Sequence, residues 1–136
     1  MAVVLDLFSR RIVGMSMSDR LKTPLVLDAL RQALCQRKGA EDVIHHSDGG
    51  SQYTSEAFGV FATSQGVRLS MSETGNCYDN AVAESFFHTL KTELGQHTRF
   101  RTREEARITI FEYVEVFYNR KRIHFTLGYL TPDAFE

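Results

Sequence analysis

Short runs rich in β-branched residues alternate along this chain with longer stretches whose apolar residues recur at helical spacing, and that alternation restricts it to an α/β architecture. "AVVLDLF" and "IVGMSM", separated by "SRR", predict an antiparallel hairpin. "TPLVLDALRQALCQRK" follows with Thr23 as expected N-cap, Pro24 at the first helical position, Leu27, Leu30 and Leu34 on one face, and Gly39 as the stop. "DVIHH" reads as a strand, "SEAFGVFATSQG" as a helix closed by Gly66, and "VRLSM" as another strand. After the loop "SETGNCYD", a helix is expected over residues 80–94. Thr102 and Glu105 form a capping box for the helix "REEARITIFEYVEVFYN", in which Ile108, Phe111, Val114 or Glu115, and Tyr118 follow helical spacing. "TPDAFE" repeats the Thr-Pro start signal.

With 136 residues, 43% of them hydrophobic, the expectation is a single domain spanning 1–136 with one core. No apolar run approaches the roughly 20 residues that span a bilayer, and no leader precedes "AVVLDLF", so the expected location is cytoplasmic with no membrane partner. Cys35 and Cys77 stand apart and read as reduced thiols. The net charge of −1 hides an asymmetry: residues 1–40 carry seven Lys/Arg against three Asp/Glu, residues 41–84 one against seven, and residues 85–136 eight against seven. The acidic middle is either a solvated face or a carboxylate cluster that holds cations between basic surfaces.

"HHSDGGSQYTS", residues 45–55, puts a carboxylate on a bare turn directly after an apolar step. Strand, helix, strand, helix, strand implies parallel pairing of the later strands, and ligands of such sheets gather at the carboxyl ends of the strands. Asp48 belongs at such an end. Glu84 belongs near the start of the helix after the last strand, with 35 residues between the two. Either residue alone has an ordinary explanation, as a turn aspartate or as a complement to a helix dipole.

Together with "VVLDLFSRRIVGMSMSD", "IHHSDGGSQYTS", "CYDNAVAESFFHTLKTEL" and "YNRKRIHFTLGYLTPDAFE", these residues make the chain resemble the integrase core of bacterial insertion-sequence transposases, relatives of retroviral integrases. The resemblance runs nearly end to end and implies a ribonuclease-H-like mixed sheet flanked by helices. It assigns the family's second catalytic aspartate to Asp48 and its glutamate to Glu84, both as metal ligands. It implies Mg²⁺ or Mn²⁺ as cofactor and DNA cleavage and strand transfer in transposition as activity. Transposon ends and target DNA are the implied partners, with homo-oligomerisation or association with an intact transposase.

The chemistry agrees with the residue types. Two divalent cations about 3.5–4 Å apart activate a nucleophilic oxygen and stabilise a leaving one, and hard carboxylate ligands suit Mg²⁺. Helical spacing sets His88 one turn and Lys91 two turns beyond Glu84 on the same face, and the family carries a DNA-facing cation seven residues after its glutamate. One departure is large. The family's first catalytic aspartate lies on a strand before the hairpin, and this chain starts within the next strand, so it is expected to be an amino-terminally truncated core, lacking that strand and a preceding helix-turn-helix, and inactive alone. The alternative expectation is a catalytically inactive remnant that binds DNA or an intact transposase. Asp6, the nearest acid, is expected to bond its own turn rather than substitute for the absent aspartate.

His45 and His46 lack zinc-type companions, and His46 reads as a residue supporting the turn. Tyr78, Asp79 and Asn80 read equally as a helix cap or as a DNA-touching loop. Arg120, Lys121 and Arg122, in "YNRKRIH", read equally as phosphate contacts or as a basic helix end.

Overall fold

The computed structural model describes residues 1–20, 22–38, 42–48, 50–71, 81–95 and 99–136. They form a mixed α/β fold that divides into two compact units, Met1–Val4 with Val13–Ala81, and Leu5–Ile12 with Val82–Glu136. Two strands, β1 (Ala2–Leu5) and β2 (Ile12–Ser16), pair through a connection too short for anything but an antiparallel hairpin.

In the first unit, helix α1 (Thr23–Gln36) buries Leu25, Val26, Ala29, Leu30, Ala33 and Leu34. Strands β3 (Ile44–Ser47) and β4 (Arg68–Met71) pair in parallel, with His45 opposite Leu69 and His46 opposite Ser70. Between them run the short α2 (Ser51–Thr54) and α3 (Glu56–Ser64). The Ser55 hydroxyl caps α3 by accepting from Phe58 N, and Gly66, at φ 77°, ends it in the left-handed region that glycine enters without strain. Phe58, Ala62 and Val67 close a core with Ala2 and the inner face of α1. β2 passes so close to α1 that a Cβ on Gly14 would collide with the Ala29 carbonyl.

In the second unit, α4 (Ala81–Leu90) continues as a π-helical turn over Lys91–Gly95 and buries Phe86 and Leu90. Helix α5 (Arg103–Glu112) continues as a π-helical segment over Tyr113–Tyr118, in which Tyr113, Val114 and Tyr118 are buried. The Phe86 ring meets the Tyr118 ring edge-on at 5.0 Å. A 3-10 turn (Phe125–Leu127) and α6 (Pro132–Phe135) end the chain. Asn119 is fully buried; its side-chain oxygen accepts from Ile12 N at 2.9 Å, and its amide donates to Ile12 O at 3.0 Å. Around the same hairpin, Arg11 pairs with Asp133, Ser9 Oγ donates to Glu136 Oε1 at 2.7 Å, and Phe8 rests on Phe135 with centroids 4.9 Å apart.

The hairpin, the parallel β3–β4 pair and the caps at Thr102 and Thr131 follow the expected scheme; Thr102 Oγ1 accepts from Glu105 N and Thr131 Oγ1 from Ala134 N, each at 3.1 Å. Two readings are corrected. The N-cap of α1 is Lys22, with no side-chain cap, so Thr23 already lies inside the helix. Glu105 reaches back to Arg101 N rather than to Thr102 N, so the capping box is displaced by one residue. Ile108 and Phe111 do not face a core: both are about half exposed, at 52% and 54%, and α5 buries no residue. Apolar spacing identifies a face but not what covers it. Gly39 lies outside the described residues.

Asn119→Ala would leave the buried N–H and C=O of Ile12 without partners, at about 1–3 kcal/mol for each group so stranded. Urea unfolding should show a loss of roughly 2–4 kcal/mol, whereas a change within about 0.5 kcal/mol, ordinary for a surface substitution, would remove Asn119 from its structural role.

Candidate active site

Asp48 follows the last residue of β3 and is exposed at the carboxyl end of a parallel strand. Its Oδ1 accepts from Gly50 N at 2.9 Å, which orients the carboxylate across the turn and leaves Oδ2 outside that bond. A Cβ on Gly50 would sit 2.8 Å from both Asp48 Oδ1 and Gln52 Oε1, so any side chain there would push against the carboxylate. Glycine at this position keeps the turn bare enough for a backbone or phosphate to approach.

The two histidines before Asp48 do different things. His46 Nδ1 lies 3.0 Å from Ser70 Oγ, across the β3–β4 pair, and so stitches the two strand ends together. His45 turns the other way, into an aromatic cluster with Tyr53 and Phe58 at centroid distances of 5.9 and 5.5 Å. Its buried Nδ1 has no hydrogen-bond partner among the described residues. Burial lowers the His45 pKa, a backbone hydrogen bond opposes that shift, and His46 adds to it. Burial, and then the charge of Asp48, raise the Tyr53 pKa.

Glu84 lies in the first turn of α4 and is exposed, as are His88 and Lys91. At about 100° per residue these three share one face, opposite Phe86 and Leu90, which are buried. That opposition explains how the helix anchors itself while presenting a carboxylate, an imidazole and an ammonium outward. The π-helical continuation begins at Lys91, and Glu93 within it is tied down: Tyr113 OH donates to Glu93 Oε2, and Arg122 Nε donates to Glu93 Oε1 at 2.9 Å. Burial and the bond to Glu93 push the Tyr113 pKa up.

Arg122 therefore serves an internal ion pair, on the structural side of the two readings left open for it. Arg120 lies 3.8 Å from Asp133, and Lys121 is exposed. Asp6 accepts from Phe8 N at 2.8 Å and Ser9 N at 3.4 Å, the turn-bonding role expected of it. Tyr78, Asp79 and Asn80 lie outside the described residues. Sequence reasoning missed Ser70 and Glu93, because a strand register and a tertiary ion pair underlie them and no local pattern carries those.

His45 ties this site to pH. Its native pKa lies below the unfolded value of about 6.5, so the unfolded chain binds more protons below that pH and stability falls as pH drops. His124, lowered by burial and by Arg122 and Arg10, acts in the same direction. Thermal melts from pH 7 to pH 5 should show His45→Phe losing less stability than the parent chain; an equal loss would mean that the buried imidazole does not set the acid limb.

Comparison with known proteins shows what the chain is similar to. The Integrase core domain family matches residues 1–77, and a second Integrase core domain family matches residues 65–132. The transposase for insertion sequence element IS904 of Lactococcus lactis is 47% identical over all of this chain, which covers 54% of that protein. Transposase InsF for insertion sequence IS3A of Escherichia coli is 47% identical over the whole chain, covering 47% of its length. The chain thus spans about half the length of the relatives it matches. A chain of the simian T-cell lymphotropic virus intasome, solved with a PP2A regulatory subunit, superposes with a TM-score of 0.74 at 17% identity, over 98% of this chain and 46% of that one. That likeness shows a mixed α/β fold shared with the intasome chain. On the family match and the identity to these transposases, the chain belongs to the integrase core domain family.

Proposed function

We propose that this chain supplies most of the catalytic core of an insertion-sequence transposase, acting on transposon-end and target DNA, with Asp48 and Glu84 as two of its metal-holding carboxylates. The observation that carries the reading is the exposed Asp48 carboxylate at the carboxyl end of β3, kept approachable by Gly50. The donors are hard oxygens. Among the described residues no group of three His, Cys, Asp or Glu would hold a metal by itself. Hard carboxylate oxygens suit Mg²⁺ or Mn²⁺, which takes one or two carboxylates and keeps several waters. When bound, such ions activate the attacking oxygen and stabilise the leaving one.

The chain's own residues divide the remaining tasks. Gly50 N holds one oxygen of Asp48, which orients the other. His46 and Ser70 fix the strand ends beneath it. Lys91 lies seven residues beyond Glu84, roughly 10 Å along the helix at about 1.5 Å per residue, and contacts phosphate for position rather than for sequence. Lys121 and Arg120 are further candidate phosphate contacts, and His88 lies between Glu84 and Lys91 on the DNA-facing side. Several copies working together would be in keeping with the intasome likeness.

The relatives are about twice as long as this chain, and a further strand of such a longer protein would supply a third carboxylate. In support of that reading, β1 pairs with β2 and β3 with β4, so among the described residues β1 and β3 each keep an unpaired edge, while Ala2, Val4, Val67 and Leu69 share one core. A strand laid between those edges would complete a continuous mixed sheet and bring its own carboxylate beside Asp48.

Residues 1–136 grafted in place of the matching segment of the Lactococcus lactis relative test this. The graft should cleave and join insertion-sequence ends with Mg²⁺ or Mn²⁺. Asp48→Asn and Glu84→Gln should each lower strand transfer by about 100-fold or more, the scale on which losing one contact to developing charge acts. Strand transfer that survives either substitution would contradict the assignment.

A further inference from the structure

The segment after the basic cluster shows a feature that the assigned site does not use. Phe125 is 77% exposed and Tyr129 61% exposed, and their rings meet edge-on with centroids 5.5 Å apart. Soluble surfaces seldom leave two large aromatic rings standing together in water without a use for them. Phe8, exposed to a similar degree, has its partner in Phe135.

The backbone beneath these rings is held firmly. His124 N donates to Leu130 O at 3.0 Å, and Tyr129 N donates to His124 O at 2.9 Å, so the loop closes on itself. Leu127 is buried below, and the His124 ring stands edge-on to Tyr118 at 5.2 Å. Inward anchors therefore alternate with outward rings. Gly128 and Tyr129 both take left-handed backbone, at φ 65° and 64°. Glycine does so freely, whereas tyrosine gives up about 1–2 kcal/mol there. A bulky residue kept in that conformation, with its ring in solvent, points to a role for the ring outside the fold.

The neighbouring charge is positive. Arg120 is 62% exposed with Asp133 3.8 Å away, and Lys121 is exposed with no carboxylate in ion-pair range among the described residues. Exposed aromatic faces beside cations match the chemistry of an unpaired nucleic-acid strand, whose bases stack while its phosphates are neutralised. We propose that the loop of residues 123–130 is a base-stacking platform that takes an unstacked nucleotide of DNA on Phe125 and Tyr129, with Lys121 against the backbone of the same strand. This rests on the DNA-processing function proposed above, and adds to it a preference for unpaired over fully paired DNA.

The test measures binding of the 136-residue chain to three labelled DNAs: a blunt duplex, the same duplex with a single-stranded tail, and the tail alone. The variants are Phe125→Ala and Tyr129→Gly. Glycine suits the left-handed backbone, so Tyr129→Gly should not lower the melting temperature. Each variant should bind tailed and single-stranded DNA about 5- to 100-fold more weakly, the range for loss of one stacked base, while blunt-duplex affinity stays within about twofold. Equal affinity of the variants for tailed DNA would overturn the platform and leave the DNA-processing function standing. Equal weakening on all three DNAs, or a fall in melting temperature with Tyr129→Gly, would make the rings structural and also overturn it. A parent chain that dimerises through these rings, with the variants monomeric and their DNA affinities unchanged, would replace it by a contact between copies. A parent chain that binds none of the DNAs would remove both readings.

Discussion

A single buried amide sets the geometry of the second unit. Asn119 presents its oxygen and nitrogen to the N–H and C=O of Ile12, so one side chain does for the first residue of β2 what a neighbouring strand does elsewhere in a sheet. Both partners are buried, where an unpaired backbone group is costly. The contact also fixes chain direction on either side. Asp133 N donates to Asn119 O at 2.9 Å, and the hairpin turn is gripped by Asp133, Phe135 and Glu136. The last residues of the chain are thus part of the support for its first turn.

A similar economy holds α4. Its inner face carries Phe86 and Leu90 and, one turn on, Glu93 bound by Tyr113 and Arg122. Those contacts occupy one side of the helix and its π-helical extension. The other side is left for Glu84, His88 and Lys91, none of which the fold needs for packing. Asp48 is arranged on the same principle in the first unit. Phe58, Tyr53 and His45 pack beneath the strand end, and the exposed Asp48 carboxylate above them accepts from Gly50 N. In both units the proposed site residues stand on the face opposite the packing.

What the sequence made legible was local. The Asp48 turn, the Asp6 turn, the Thr102 and Thr131 caps and the Gly66 stop are each decided within about five residues, where side-chain and backbone groups have few alternatives. The parallel pairing of β3 and β4 followed from the alternation of strands and helices. The partners of Asn119 and Arg122 were not legible, because they lie 107 and 29 residues away and any buried amide or guanidinium has many satisfactory partners. The spacing of Ile108 and Phe111 marked their helix, but not their exposure, since helical spacing reports an apolar face whether or not anything covers it. Gly50 was visible as a turn glycine, but its guarding of Asp48 depends on a contact only three dimensions reveal.

The proposed function rests on Asp48 and Glu84 being metal-holding carboxylates. Backbone amide signals of an isotope-labelled chain titrated with Mn²⁺ test that claim most directly, because the paramagnetic ion broadens only nearby nuclei. The proposal predicts that signals around Asp48 and around Glu84 broaden as Mn²⁺ is added, and that Asp48→Asn and Glu84→Gln each remove the broadening around the residue changed. Absence of broadening at either residue, or broadening that survives that residue's substitution, would contradict it.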